Sequence, residues 1–303
     1  MYQYNLIIRW VYSIIFMLYT GVIWAATFTL PSSDTRLVGR LQWFQALPGD
    51  TFYSIGRRYD IGYYELVEAN PGINPTRIIP GTIIVIPTLH ILPATKLRHG
   101  LVINLAELRI YYYPEHSNYV ITYPVGIGRE GWNTPLGPSR IIQKIKNPTW
   151  YVPASIRDAR AKEGVYLPKS VPPGPDNPLG NYAMRLQQST YLIHGTNDYH
   201  GVGRRSSSGC IRMLPEDVES LFSEVRVGTP VAIVDQPYKL GFSEGKLYFE
   251  AHVPLQEDAR HIHFSEVKRD VLTAVSGTAI SVNWQRLHKI AERQTGIPQV
   301  IGQ

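Results

Sequence analysis

The chain has 303 residues, 44% of them hydrophobic and 18% charged, which fits a globular protein of one large or two modest domains and excludes a disordered one. It carries 30 Lys and Arg against 24 Asp and Glu, but these basic residues are scattered, and no basic stripe or known fold motif supports nucleic acid as a partner. A single cysteine, Cys210, excludes an intramolecular disulfide.

The first residues carry one charge, Arg9, ahead of an apolar run from Trp10 to Trp24, followed by Ala25 and Ala26. This is the layout of a signal peptide over residues 1–26, cut near Ala25 or Ala26, and it predicts export. The run is shorter than the roughly 20 residues a spanning helix needs, so membrane contact is expected only through the leader, if uncleaved. No cysteine follows, which excludes a lipoprotein anchor at this point. Export makes the lone thiol a question. In an oxidising compartment it is an intermolecular bridge, a buried inert group or a reactive one.

Residues 42–88 read as strand, helix, helix, strand. Asp50 or Thr51 caps a helix with Phe52, Ile55 and Tyr59 at helical spacing. "GYYELVEAN" predicts a second helix with Tyr64, Leu66 and Val67 inward, and "GTIIVIP" a short strand stopped by proline. Gly49 to Thr51, Asn70 and Gly81 to Pro87 carry a resemblance to the LysM module, a small α+β fold. That resemblance implies docking on N-acetylglucosamine-containing glycan, with peptidoglycan as partner. The other reading of this stretch is a spacer.

"LHILPATKLRHG" is a linker, and strands then dominate residues 97–236: "LVINLAELRIYYYP" with apolar alternation, "YVITYPVGIG", "SRIIQKIK", "YAMRL", "YLIHG" and "PVAIV". The fold class expected is mainly β, a sandwich or open barrel beside the small α+β domain. One helix is expected over 214–225, where Val218, Leu221, Phe222 and Val225 share a face. Residues 147–180 are rich in Pro and Gly without a clean period, and we read them as a lid or substrate-contact loop, with a passive insertion as the other reading. "KLYFEAHV" is a further strand, and residues 237–303 form a C-terminal extension with amphipathic stretches at "FSEVKRDVLTAV" and "NWQRLHKIAERQ" and no role assigned.

The stretch "YLIHGTNDYHGVGRRSSSGCIRM" holds the parts a nucleophilic cysteine needs. His194 ends an apolar strand and supplies a base, with Gly195 behind it. Cys210 follows 16 positions later, after a glycine-containing loop. Gly209 removes bulk beside the sulfur, so that the N–H groups of Gly209 and Cys210 can face a developing oxyanion. Arg204, Arg205 and Arg212 add positive charge expected to favour thiolate. The chemistry indicated is acyl transfer through a thioester, without metal or cofactor.

"HGTND" followed by "SSGCIRM" resembles the L,D-transpeptidase (YkuD-like) catalytic domain. "GLVINLAELRIYYYP" and "YPVGIGREGWNTPLGPSRI" extend the likeness over about residues 97–236. The resemblance implies Cys210 as nucleophile, His194 as its base, Gly195 at the orienting position, Gly209 beside the nucleophile, and Arg212 near the substrate carboxylate, with Ser207 and Ser208 as further substrate contacts. Ser208 stands where many members have a second His. With the LysM-like module and the 147–180 insertion, the layout is close to the periplasmic subgroup of Gram-negative bacteria that joins the outer-membrane murein lipoprotein to peptidoglycan. In that subgroup the thiol takes the third residue, diaminopimelate, of a stem tetrapeptide, expels D-alanine, and passes the acyl group to a lipoprotein lysine. Direct 3-3 cross-linking of stems and hydrolysis of lipoprotein linkages share the thioester step. A non-catalytic peptidoglycan-binding protein is the reading of a different class.

Four signals are discounted. "GIGREG" fits a dinucleotide glycine pattern, but "WNTPLGP" starts no helix behind it. "HIH" at 261–263 with His252 or His288 has no fixed set of zinc ligands. His200 competes as base but falls in a polar loop. Ser206, Ser207 and Ser208 lack a nucleophile elbow.

Overall fold

The computed structural model describes residues 26–30, 35–97, 99–188, 190–255 and 264–303. The expected leader lies outside these residues apart from Ala26, and so does "HIH". Among the described residues no helix is long and apolar enough to cross a membrane.

The chain begins with strands β1 (Ala26–Thr29), β2 (Leu37–Gly39) and β3 (Gln42–Gln45), then helices α1 (Phe52–Tyr59) and α2 (Tyr63–Ala69), then β4 (Ile83–Ile86) and β5 (Leu89–Ile91). Strand β3 pairs antiparallel with β4, so residues 42–88 have the expected strand-helix-helix-strand order. Thr51 caps α1: its hydroxyl accepts from the Ser54 N–H at 3.2 Å while Ser54 Oγ takes the Thr51 N–H at 3.0 Å. Asn70 staples α2 to β4, donating to the Leu66 and Val85 carbonyls and accepting the Val85 N–H. Phe52, Ile55, Leu66, Ile84 and Ile86 form this unit's core.

One expectation fails in α2. Leu66 is buried, but Tyr64 is exposed and Glu65 takes the inward place. The reason is tertiary: Arg109, fully buried, donates from Nε and Nη2 to the two Glu65 oxygens at 2.9 and 2.8 Å and from Nη2 to the Asp60 carbonyl.

The main body follows with β6 (Gly100–Asn104), β7 (Arg109–Tyr113), β8 (Tyr119–Pro124), β9 (Ile127–Gly128), β10 (Gly137–Lys146), β11 (Trp150–Tyr151), helix α3 (Ala154–Lys162), β12 (Ser170–Val171), β13 (Tyr182–Leu186) and β14 (Leu192–His194). After these come β15 (Arg205–Ser207), β16 (Ile211–Arg212), α4 (Pro215–Glu224) and β17 (Pro230–Val234). Among the described residues the main sheet is open and mixed, in the order β1-β8-β7-β6-β17-β10-β13-β14-β16, with β9 and β15 paired beside it and β11 and β12 paired apart from it. The fold is mainly β, as expected, with edges at β1 and β16 rather than closure into a barrel. Helix α4 covers one face through Val218 and Leu221.

Strands β6 and β7 are buried along their whole length, not alternately. Leu101, Ile103 and Ile110 pack under α4, whereas Val102 and Tyr111 pack on the other side with Val38 and Val120. Both faces are covered, so the alternation that marks a half-solvated sheet does not apply.

The tail is a separate layer: β18 (Tyr238–Ser243), β19 (Lys246–Ala251), α5 (Phe264–Val275), α6 (Trp284–Arg293) and β20 (Gln299–Gly302). Its strands pair in the order β18-β19-β20, and Leu247, Phe249, Val271, Leu287 and Ile290 form its core. Both amphipathic stretches of the sequence are helices here, while "KLYFEAHV" belongs to this sheet instead of the main one. Buried Lys239 sits between Glu107 and Glu250 at 2.6 and 2.9 Å. His90, Glu107 and Glu250 lie close enough together to suggest a cation site, and the Lys239 ammonium already supplies the positive charge between the two carboxylates.

Candidate active site

Strands β14 and β16 run parallel, with Ile193 opposite Ile211 and His194 opposite Arg212. That pairing brings the C-terminal end of "YLIH" beside the loop that ends in Gly209 and Cys210. His194, Cys210, Ser206, Ser207, Ser208 and Arg212 line one cavity of about 570 Å³.

His194 is buried, and its Nδ1 lies 2.6 Å from the Gly195 carbonyl. A carbonyl only accepts, so Nδ1 carries the proton and Nε2 is bare. Burial, with the Arg212 charge adding to it, pushes the imidazole down to about 3, and the Gly195 carbonyl acts against that shift. The ring is therefore neutral across the physiological range. A side chain at Gly195 would meet Val218 Cγ1 at 3.1 Å and the Leu179 carbonyl at 3.3 Å.

The cysteine loop is held from inside. Ser207 Oγ donates to the Cys210 carbonyl at 2.5 Å and accepts the Gly209 N–H at 3.1 Å. Gly209 has φ +103°, and a Cβ there would lie 2.8 Å from Tyr191 Cε1, so both conformation and contact demand glycine. This differs from the sequence expectation in two ways. The Gly209 N–H is occupied by the Ser207 hydroxyl, so the Cys210 N–H, with no acceptor among the described residues, is the donor left of the pair. The Ser207 hydroxyl shapes the loop, and both Ser207 and Ser208 line the cavity.

The thiol is half-buried, with Sγ 3.9 Å from the Thr190 carbonyl. Burial pushes it up from the ordinary thiol value, and the Leu192 backbone N–H, with Arg212 and Arg185 behind it, only partly opposes this. The three arginines expected to favour thiolate are differently placed. Arg204 turns away to donate to the Tyr53 hydroxyl at 2.7 Å and stack on Tyr63. Arg205 Nε donates to the Gly128 carbonyl. Arg212 alone faces the cavity, its Nη1 3.5 Å from Ser206 Oγ and 3.9 Å from Asp198 Oδ2, and its buried Nε has no hydrogen-bond partner. The resting site holds a neutral thiol and a neutral imidazole beside a guanidinium whose Nε lacks an acceptor.

Residues 147–180 wall the cavity through Pro148, Trp150, Pro153, Ile156 and Leu179. They contain helix α3, which the sequence reading did not anticipate because it buries no residue and so shows no apolar stripe. Asn177, fully buried, ties the segment together by donating to the Pro148, Val171 and Pro172 carbonyls and accepting the Leu179 N–H. Thr134 is a second residue missed. It belongs to the "TP" segment and bridges the β9 turn to the cysteine loop.

His200 lies elsewhere. It is exposed, sits beside Asp198, and meets the Tyr53 ring edge-on at 4.5 Å. "GIGREG" continues from β9 into a turn, with no helix behind it.

A family model of the L,D-transpeptidase catalytic domain matches residues 98–233, and one of the LysM domain matches residues 47–87. The chain is 42% identical over 240 residues to the probable L,D-transpeptidase YcfS of Escherichia coli, spanning 77% of this chain and 74% of that protein. It is 38% identical over 281 residues to the probable L,D-transpeptidase ErfK/SrfK of Salmonella typhimurium, covering 90% of each. With the protein of the same description in Escherichia coli the identity is 36% over 299 residues, covering 95% of this chain and 94% of the relative.

Proposed function

The chain belongs to the L,D-transpeptidase family, and from that premise we propose that it works in the periplasm through a thioester on Cys210, passing a stem peptide to the C-terminal lysine of the murein lipoprotein. The reading rests on one cavity shared by a thiol, an imidazole with a bare Nε2 and a guanidinium with an unpartnered Nε.

The donor is a tetrapeptide whose third residue is diaminopimelate. Arg212 takes a carboxylate of this stem through its free Nε, a charge-assisted contact that compensates the burial of both groups. Cys210 Sγ attacks the carbonyl carbon of the third residue as its proton passes to His194 Nε2. The Cys210 N–H faces the oxyanion. The bond to D-alanine breaks, the leaving amine takes the proton from His194, and a thioester remains. An acceptor amine then attacks that carbonyl, gives its proton to Nε2, and the thiol is restored.

Because thiol and imidazole are both neutral at rest, proton transfer accompanies the attack rather than preceding it. The wall formed by residues 147–180 limits water at the thioester, which favours an amine acceptor over hydrolysis. The LysM unit retains the enzyme on glycan, its exposed Trp43, Ile79 and Ile83 offering apolar faces for sugar rings. Export is supported by the leader pattern, and the lipoprotein lysine by the layout of modules.

The test is intact-mass analysis after incubation with a diaminopimelate tetrapeptide, with Cys210→Ala alongside. The expected result is a gain equal to the stem minus D-alanine, absent from the variant. A lysine-ended acceptor peptide should then leave joined to the tripeptide. A 3-3 stem dimer or free tripeptide instead would replace the proposed acceptor, and no adduct with no D-alanine released would leave only glycan binding.

A further inference from the structure

The junction between the LysM unit and the main sheet buries more negative charge than it balances. Asp60, after helix α1, and Asp217, in the first turn of α4, are both buried and their carboxyls interact directly. Asp60 Oδ1 and Asp217 Oδ2 have no donor among the described residues apart from a proton shared between the two carboxyls. The charged groups around them are Arg109, Glu65 and Glu216. Arg109 is committed to Glu65, and Glu216 is held by Arg57. Two carboxylates are thus left with no cation of their own, and burial holds the Asp60 carboxyl up at about 6 and that of Asp217 well above the ordinary value.

Among the described residues the one further donor at this point is the N–H of Ala26, 3.1 Å from Asp60 Oδ2. Ala26 starts strand β1 opposite Thr122, whose hydroxyl accepts from Arg109. An amide has a single proton and no charge. The bond before Ala26 is the one the leader pattern offers for cutting: it leaves Ala25 on its N-terminal side with Ile23 two positions earlier, whereas the next bond would place bulky Trp24 in the position where small residues are preferred.

We propose that the chain is cut between Ala25 and Ala26, and that the α-ammonium so created is the missing cation of the Asp60–Asp217 site, fastening β1 to the junction of the two units. Hydrolysis breaks the Ala25–Ala26 amide, the water oxygen goes to the Ala25 carboxylate, and the Ala26 nitrogen gains protons to become an ammonium. Three donors and one charge then replace one neutral N–H. One ammonium and one proton shared between the carboxyls bring the buried group to neutrality. Removal of the leader is in this way part of completing the fold.

The inference rests on the export reading. The first experiment is intact mass and N-terminal sequencing of the full chain expressed in an exporting bacterial host. A mature chain beginning at Ala26 is expected. A start at Thr27 or beyond overturns the inference alone, whereas retention of the leader overturns the export reading beneath it. The second compares a chain starting at Ala26 with one carrying a single extra glycine ahead of it. The extra residue should lower Tm by about 3 to 6 °C, as loss of one charge-assisted contact would in a chain of this size. That difference should vanish in Asp60→Asn, and in Asp217→Asn if the first variant folds poorly. Titration of the Ala26 amine by NMR should give a value above the ~8 of an ordinary α-amine. Equal melting temperatures of the two chains, or an ordinary α-amine titration, overturn the assignment. None of these readouts depends on Cys210, so their failure leaves the transpeptidase reading standing.

Discussion

The Thr134 hydroxyl donates to the Gly209 carbonyl at 2.9 Å while accepting the Gly128 N–H at 3.1 Å. It therefore fixes the peptide just before Cys210 against the last residue of β9, from a position 75 residues earlier in the chain. Thr134→Val keeps the shape and removes both bonds. We expect transfer to slow by roughly ten- to a hundredfold, since a small displacement of a nucleophile is enough for that, with KM little changed. Single-turnover acylation rates would check it, and a variant as fast as the parent would show that the Cys210 loop holds its own geometry.

The pH profile should lack an acid limb near the ordinary histidine value. His194 is held down to about 3 by burial and by Arg212, so the base stays available as pH falls through 6. Its folded value lies below its unfolded one. The associated stability is present above about 6.5 and is lost as pH falls toward 3. Alkylation of Cys210, whose thiol is pushed up, should instead accelerate with a midpoint above that of a free thiol. A kcat/KM profile falling with a midpoint near 6.5 would contradict this picture of the site.

Asn177→Ala should loosen the cavity wall without unfolding the protein. The side chain is fully buried and serves three carbonyls and one N–H of its own segment. Leaving those groups unpaired costs about 2 kcal/mol or more. Hydrogen exchange should rise within residues 147–180, and free tripeptide should increase relative to transfer product as water reaches the thioester. Unchanged exchange in that segment would mean that other contacts hold the wall.

Arg109→Met should destabilise by about 3–5 kcal/mol, because Glu65 is left buried and unpaired. Arg109→Met with Glu65→Leu should recover most of the loss, since an apolar pair of similar volume suits a dry site. Denaturant unfolding measures both. A single variant that loses no more than a surface ion pair, roughly 1 kcal/mol, would place water at the junction.

What the sequence determined by itself is what short-range chemistry encodes. A cap at Asp50 or Thr51, of which the structure uses Thr51, the apolar faces of α1 and of the tail helices α5 and α6, and the strand-helix-helix-strand order of residues 42–88 all follow from spacings of a few residues. The placing of His194 near Cys210 follows as well, because a strand ending in one and a short strand starting just after the other have only a loop between them. Tertiary structure alone decided the rest. Glu65 turns inward to meet Arg109, 44 residues away. Strands β6 and β7 lose their alternation because a second layer covers their outer face. Helix α3 has no buried side chain and hence no period to read. The thiol rises although arginines flank it in the chain, since charge acts through distance and burial in space: two of the three point elsewhere, and desolvation outweighs the one that remains.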